Sequence, residues 1–180
     1  VRKSGRVYEE TVSTIFTRVQ FPDTPGLPVG VSCAYQHAVV WTAEGRVFTW
    51  GMGSFCQLGG HGSNERSDVP RQVQALEAVP IASAAAGAIT TLALDRNGNL
   101  WSWGQGLALG RGGNTQSQQL LPKVIDGLPQ GAAIVSIAAG YADYVATSHA
   151  DGTMWSWGKE LHDNDSVTST PKLFLGAGSW

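Results

Sequence analysis

A nine-residue phrase that occurs three times constrains the fold of this chain more than any other feature. The three copies read AEGRVFTWG (43–51), RNGNLWSWG (96–104) and ADGTMWSWG (150–158). Their turn glycines, Gly45, Gly98 and Gly152, lie 53 and 54 residues apart. Self-similarity at a fixed period of this size is typical of repeat architectures. The sequence therefore predicts successive copies of one structural unit.

Each copy reads as a β-hairpin. The dipeptides Glu44-Gly45, Asn97-Gly98 and Asp151-Gly152 predict primed turns, because Gly and Asn tolerate the positive φ that these turns require. Apolar residues alternate around them with the two-residue period of a strand. The second strand of each hairpin ends in Trp50-Gly51, Trp103-Gly104 and Trp157-Gly158. We expect the three tryptophans to be largely buried at matching places.

Two further markers recur in each period. A small-residue strand precedes each hairpin and ends at Ala34, Gly87 and Gly140. A proline segment follows each hairpin, namely PRQV (70–73), PKV (122–124) and PKL (171–173). Proline fits the first residue of an edge strand, where no ladder hydrogen bond is lost. Four short strands per period, with almost no helix, predict a β-propeller blade.

These markers resemble the regulator of chromosome condensation repeat, whose family builds seven-bladed propellers. The first copy carries the pattern best, with His37, EGRVFTWG (44–51), CQLG (56–59) and PRQV. The second copy has Thr90 at the histidine position and a shortened LALG (107–110). The third has Asp143 there and lacks the Gln-Leu-Gly element. The resemblance covers residues 29–175 and implies an all-β partial propeller of about three four-stranded blades.

The period divides the chain into one propeller arc. We predict repeat 1 at 29–80, repeat 2 at 81–134 and an incomplete repeat 3 at 135–180. A partial, divergent N-terminal repeat is predicted at 1–28, because SGRVY (4–8) matches EGRVF (44–48). About three and a half repeats make roughly half of a seven-bladed ring. The open flanks are therefore expected to be covered by other protein chains or by a missing part of the same propeller.

The recurring positions are interpreted as structural rather than catalytic. They are His37, Gly45, Trp50, Gly51, Gly98, Trp103, Gly104, Gly152, Trp157 and Gly158. His37 could be a catalytic base, but Thr90 and Asp143 at its equivalents favour a buried hydrogen-bonding role.

No catalytic, cofactor or metal site is predicted. The loops GMGSFCQLG and GQGLALG do not fit the glycine spacing of a dinucleotide site, and no helix follows them. His61, Cys56 and His162 lack metal-ligand spacing. The segment HDNDS (162–166) lacks the glycine and glutamate of a calcium loop. The tryptophans could line a stacking surface, but their fixed place in the repeat favours the core, with Trp41 and Trp180 unplaced.

Charge and composition limit the classes of partner and the compartment that can be expected. The 180 residues carry a net charge of −2, so there is no electrostatic reason to expect nucleic acid or an anionic membrane. No apolar run is long enough to span a membrane, so no membrane insertion is expected. The two cysteines, Cys33 and Cys56, predict buried thiols in a reducing, intracellular compartment, although they could pair. The chain begins with Val and has no signal-peptide core, so a processed or truncated chain is expected.

Two functions remain open. The first is a non-enzymatic protein–protein interaction module or scaffold subunit. The second follows from the resemblance alone, because the best-known members of the family act as guanine-nucleotide exchange factors on the small GTPase Ran. Those members use an inserted β-wedge in one blade, and no such insertion is evident in this sequence.

Overall fold

The fold is described by a computed structural model for residues 18–21, 26–60, 66–128, 133–140, 144–159 and 167–175. Twelve strands and two short 3-10 helices make up this part of the chain. The strands are β1 (Pro28–Cys33), β2 (His37–Thr42), β3 (Val47–Gly51), β4 (Ser67–Gln72), β5 (Ile81–Ala86), β6 (Thr90–Asp95), β7 (Leu100–Gln105), β8 (Gln118–Val124), β9 (Ile134–Ala139), β10 (Tyr144–His149), β11 (Met154–Lys159) and β12 (Val167–Leu175).

The strands form three antiparallel four-stranded sheets, each a simple meander of consecutive strands. We call them blade 1 (β1–β4), blade 2 (β5–β8) and blade 3 (β9–β12). In the described part of the chain, the helices are limited to three-residue 3-10 turns at Gln74–Leu76 and Leu107–Leu109. The predicted all-β partial propeller is confirmed. Within the same residues, no helix has the length and apolarity needed to cross a membrane.

The predicted 1–28 repeat lies almost entirely outside the described residues. Among those that are described, Phe21 packs edge-on against Phe48 of blade 1, with ring centroids 5.3 Å apart. The three sheets occupy 28–72, 81–124 and 134–175. The exact limits of the repeats stay a prediction.

The hairpin turns lie where they were expected, but they are not primed two-residue turns. The amide of Gly45 donates to the Thr42 carbonyl at 2.9 Å, and the amide of Thr42 donates to the Arg46 carbonyl at 3.0 Å. The same pair of bonds recurs at 95–99 and 149–153. Only the glycine of each loop has a positive φ, between 83° and 86°. Each loop is therefore a three-residue turn that ends in a left-handed glycine. The residue before the glycine has a negative φ, so Glu, Asn and Asp are all accepted there.

The prolines do not start their strands, as the sequence had suggested. Pro70, Pro122 and Pro171 lie inside β4, β8 and β12, the outer edge strands of the three blades. In each blade the pairing with the neighbouring strand is interrupted close to the proline, as between Thr49 and Gly51 in blade 1. A proline has no amide hydrogen to donate, so it is tolerated where the ladder is already broken.

The core lies between the blades rather than within any one of them. One cluster joins blades 1 and 2 and includes Val39, Val47, Ile81 and Trp103. A second cluster joins blades 2 and 3 and includes Leu92, Leu100, Val145 and Trp157. Each blade therefore buries its apolar faces only when another blade packs against them.

Candidate functional site

The two joints between blades are built around a tryptophan. The indole N–H of Trp103 in blade 2 donates to the Gln57 carbonyl oxygen of blade 1 at 2.9 Å. The indole N–H of Trp157 in blade 3 donates to the Ala108 carbonyl oxygen of blade 2, also at 2.9 Å. Both tryptophans are fully buried, as predicted. A buried indole needs an acceptor for its N–H, and each blade supplies that acceptor to the next one.

The acceptor loops explain the Gln-Leu-Gly element. Gly59 has φ +76°, and a Cβ at this position would lie 2.9 Å from the Trp103 indole nitrogen. Gly110 has φ +72°, and its Cβ would lie 2.8 Å from the Trp157 nitrogen. Glycine is therefore required both for the left-handed backbone and for the space that the tryptophan fills. This role was not predicted from the sequence. The available signal was the presence of this loop before each of the two buried tryptophans.

The same loops are tied to their own blades. The Thr49 hydroxyl donates to the Leu58 carbonyl at 2.7 Å, and the Ser102 hydroxyl donates to the Leu109 carbonyl at 2.7 Å. Thr49 and Ser102 directly precede the repeat tryptophans Trp50 and Trp103 in their strands. Each blade therefore fixes the loop that receives the next tryptophan.

His37 belongs to the first joint. Its Nε2 lies 2.8 Å from the Thr91 hydroxyl of blade 2, and that hydroxyl donates to the Gln57 carbonyl at 2.8 Å. Because the hydroxyl hydrogen is used on Gln57, the histidine Nε2 carries the hydrogen that it donates to Thr91. Burial lowers the pKa of His37 to about 4, so the ring is neutral at physiological pH. These contacts hold two blades together and leave His37 without access to a substrate.

The positions equivalent to His37 differ from those that the sequence suggested. Strand pairing sets His37 opposite Gly51, Thr90 opposite Gly104, and Tyr144 opposite Gly158. Tyr144, rather than Asp143, therefore occupies the histidine position of blade 3. The loop before it is one residue longer than in repeat 2, which accounts for the 54-residue step from Gly98 to Gly152. Asp143 itself lies outside the described residues.

The second joint is less polar than the first. Val145 pairs with Trp157 at the place where Thr91 pairs with Trp103, so the Thr91 hydroxyl has no counterpart there. Thr90 stands at the His37 position, but its hydroxyl donates to the Gln105 carbonyl oxygen of its own blade at 2.7 Å.

Trp50 is less completely buried than Trp103 and Trp157. It is half-buried, because it lies on the face of blade 1 that points away from blade 2. No blade in the described part of the chain packs on that face. Val31 and Cys33 of β1 share the face, and Val31 is 61% exposed, whereas its equivalent Ala84 in blade 2 is 5% exposed. We call Val31, Cys33 and Trp50 the open face of blade 1.

The open face also corrects the interpretation of the cysteines. Cys56 is buried as predicted, but Cys33 is exposed because it lies on the face of β1 that points away from blade 2, where no blade in the described part of the chain packs. Both thiols are free. Cys56 is also the described non-glycine residue with a positive φ, 65°, at the position where the repeat pattern has glycine.

The glycines that follow the repeat tryptophans of β3 and β7 allow close backbone contacts. A Cβ on Gly51 would collide with the Gln36 carbonyl oxygen, and one on Gly104 would collide with that of Ile89. Gly158 shares their positive φ, at 103°. The structural role of these positions is our proposal, and these contacts support it.

The described residues offer few groups for catalysis. They contain no cluster of three metal-ligating side chains. Asp95 is buried, and its carboxylate accepts hydrogen bonds from Asn97, Asn99 and Trp101. Burial raises the pKa of Asp95, but these hydrogen bonds outweigh it and leave the pKa below its usual value. Asp95 is thus an ionised anchor for its hairpin. His61, His162 and the 162–166 segment lie outside the described residues.

Comparison with known proteins places this geometry in a family. The family model of the regulator of chromosome condensation (RCC1) repeat matches residues 44–94 and 97–144. The chain is 35% identical over 157 residues to the human E3 ubiquitin-protein ligase HERC2, covering 82% of the chain and 3% of that protein. It is 35% identical over 155 residues to the ultraviolet-B receptor UVR8 of Arabidopsis thaliana, covering 86% of the chain and 34% of the receptor.

A solved structure shows the same fold. The propeller of Prp20p from Saccharomyces cerevisiae superposes with a TM-score of 0.69 at 21% identity, covering 83% of this chain and 39% of Prp20p. The chain thus spans about a third or less of the two curated relatives and about two fifths of Prp20p. With two matched repeats, three blades and the joints between them, the chain belongs to the regulator of chromosome condensation (RCC1) repeat family.

Proposed function

We propose that this chain is a non-enzymatic protein–protein interaction module, or the equivalent part of a scaffold subunit. The open face of blade 1 carries this proposal. Val31 and Cys33 are exposed at positions whose equivalents in blade 2, Ala84 and Ala86, are 5% and 4% exposed between blades. An exposed apolar face with the geometry of an interior one is a place for another polypeptide.

The buried polar side chains already make hydrogen bonds within the protein, which supports a non-catalytic role. His37, Thr91 and Trp103 are all used in the first joint. The Asp95 carboxylate is saturated by donors from its own hairpin. A catalytic group must be free to reach a substrate, and these groups are not.

The relatives support protein partners without identifying one. The ligase HERC2 matches over 3% of its length, so ligase activity is not carried over to this chain. Prp20p has binding properties to Gsp1p and histones. We propose protein partners of this kind for the present chain in an intracellular setting, with exchange on a small GTPase as the alternative function.

Affinity capture with matched variants tests the interaction function. Val31→Lys places a charge on the open face, and Val69→Lys places one on the outer edge of the same blade, where Val69 is 46% exposed. We expect the wild-type chain and Val69→Lys to retain a common set of proteins that Val31→Lys loses. Identical sets for all three chains would contradict a role for the open face.

A nucleotide-release assay tests the alternative. Small GTPases loaded with a fluorescent GDP analogue are mixed with the chain, and the fluorescence decay is followed. We expect no acceleration over spontaneous release. Saturable acceleration with any of the GTPases would replace the scaffold proposal with exchange activity.

A further inference from the structure

The two joints have similar apolar clusters, but they differ in the polar groups at the end where the acceptor loops lie. In the first joint His37 Nε2 lies 2.8 Å from the Thr91 hydroxyl, so an ionisable ring bonds across the boundary between blades 1 and 2. In the second joint Thr90 and Val145 stand at the equivalent positions. The Thr90 hydroxyl bonds within its own blade, and His149 lies at the opposite end of β10 from Tyr144. An ionisable side chain therefore bridges the first joint where the second joint has a threonine and a valine.

His37 is enclosed by the joint. It begins β2 and is 4% exposed. A Cβ on Gly51 of β3 would lie 2.8 Å from its Cα. Its Nδ1 atom is buried and has no hydrogen-bond partner among the described residues. A protonated ring would carry an N–H group at this atom as well. Protonation inside the closed joint would therefore bury both a charge and an unpaired donor, which is costly.

Burial, rather than a charged neighbour, keeps this ring neutral. It is the cause that lowers the pKa of His37 to about 4. The ionisable groups that the structure describes on the surrounding elements are Tyr35, which is exposed, Cys56, whose pKa burial raises, Cys33 on the opposite face of β1, Asp95 at the far end of β6, and Arg66 and Asp68, which pair with each other on the surface at 2.6 Å. Opening of the joint would remove the burial and with it the shift in the pKa of His37.

We propose that the first joint is an acid-sensitive hinge, at which mild acid uncouples blade 1 from blade 2 while the second joint stays closed. Opening transfers His37 from the interior to water, where it takes up a proton, and the bound proton favours the open form. The closed joint has its full stability above about pH 6.5 and loses it as the pH falls towards 4. The inference goes beyond the proposed interaction function and does not depend on it.

The topology allows one blade to separate from the next. The four strands of blade 1 pair only with one another, and so do those of blade 2. Opening the first joint therefore breaks the contacts between the blades and leaves the strand pairing of both blades in place. Proteins open in cooperative units that often coincide with supersecondary motifs of this kind. The loss expected at the hinge is thus separable from unfolding of the whole chain.

The joint tryptophans provide matched probes of the two interfaces. The indole N–H groups of Trp103 and Trp157 each donate across a joint at 2.9 Å, and both side chains are 0% exposed. Their hydrogens exchange with deuterium only when the joint that buries them opens. Because the two groups are chemically identical, the ratio of their exchange rates cancels the direct effect of pH on exchange. The ratio is measured by NMR on the full chain carrying isotope-labelled tryptophan.

We expect the Trp103 to Trp157 ratio to rise about 20-fold between pH 7 and pH 5, as a pKa of about 4 in the closed joint and 6.5 in the open one requires. In His37→Gln the ratio should stay nearly constant, because the amide does not titrate. His37→Thr is the second variant, since blade 2 has a threonine, Thr90, at the equivalent position. It should abolish the rise as well.

Three results would overturn the proposal. A constant ratio in the wild-type chain would show that the joint does not respond to acid. Equally faster exchange of both indoles would assign the effect to both joints or to unfolding of the whole chain. A rise that persists in His37→Gln and His37→Thr would assign it to another group. Each of these results leaves the interaction function untouched, because Val31→Lys tests that function separately.

Discussion

At the residue scale, the first joint depends on one backbone oxygen. The Gln57 carbonyl accepts from both the Trp103 indole and the Thr91 hydroxyl, and Thr91 in turn accepts from His37. A buried hydrogen-bond network of this kind stabilises the fold only while every donor and acceptor in it keeps its partner. His37, which was considered as a catalytic base, is therefore expected to affect the stability of the fold.

Replacing Trp103 should be more costly than replacing Trp50. Trp103→Ala empties a fully buried aromatic site and should lower the free energy of unfolding by about 3–5 kcal/mol. Trp50→Ala removes a half-buried ring on which no blade in the described part of the chain packs, and it should lower the free energy of unfolding less. Urea denaturation of both variants is the measurement. Equal losses would show that blade packing does not distinguish the two sites.

The buried histidine makes stability depend on pH. Its pKa is about 4 in the folded chain, against about 6.5 in an unfolded one, so the unfolded state takes up the proton first. The full contribution of neutral His37 is present above about pH 6.5 and is lost as the pH falls towards 4. The loss should approach about 3 kcal/mol. The pKa of Asp95 lies below its usual 3.8, so the stability that its ionised carboxylate contributes is lost mainly at a pH lower than this range.

Denaturation midpoints between pH 7 and pH 4 measure this effect. His37→Gln keeps a side-chain donor but cannot titrate, so its stability should change much less over the same range. A wild-type chain and a His37→Gln chain with parallel pH profiles would show that other groups cause the loss.

At the element scale, the hairpins and strands could be predicted because their signals are local. Gly45, Gly98 and Gly152 mark the turns, and the alternation around them marks the strands. The turn type was wrong, because a left-handed glycine serves a three-residue turn as well as a primed one. The proline positions were wrong because the break in strand pairing depends on the neighbouring strand. The joints were missed because their partners come from different repeats.

Gly110 should be more sensitive than another glycine of similar backbone conformation. Gly110→Ala adds backbone strain of about 1–2 kcal/mol and also pushes a Cβ against the Trp157 indole, 2.8 Å away. Gly127 has φ +88°, and a Cβ there would meet no atom of the described residues within 4 Å, so Gly127→Ala is expected to incur the strain alone. Thermal unfolding of both alanine variants should show a clearly larger loss for Gly110→Ala. A similar loss for both would mean that the tryptophan can move aside.

At the scale of the whole molecule, each blade depends on its neighbours. Blade 2 is covered on both faces, and both of its joints hold a buried tryptophan. On the open face of blade 1, Val31 and Cys33 are exposed, whereas Phe48, two residues before Trp50 on the same face, is 1% exposed and packs against Phe21. At the other end, Leu173 and Phe174 of β12 are 53% and 62% exposed. The sequence predicted the arc from its period and predicted that apolar residues at its two ends, Leu173 and Phe174 among them, need cover, but the exposure of Val31 and Cys33 was seen only in the structure.

The mass of the isolated chain in solution tests the central claim most directly. Residues 1–180 are expressed alone and measured by size-exclusion chromatography with light scattering, over a range of concentrations. We predict particles heavier than the 19.0 kDa monomer, since the open face of blade 1 recruits other copies when no partner is present. Val31→Lys should shift the mass towards the monomer. A stable wild-type monomer that melts cooperatively at high concentration would contradict the claim that this face requires another polypeptide.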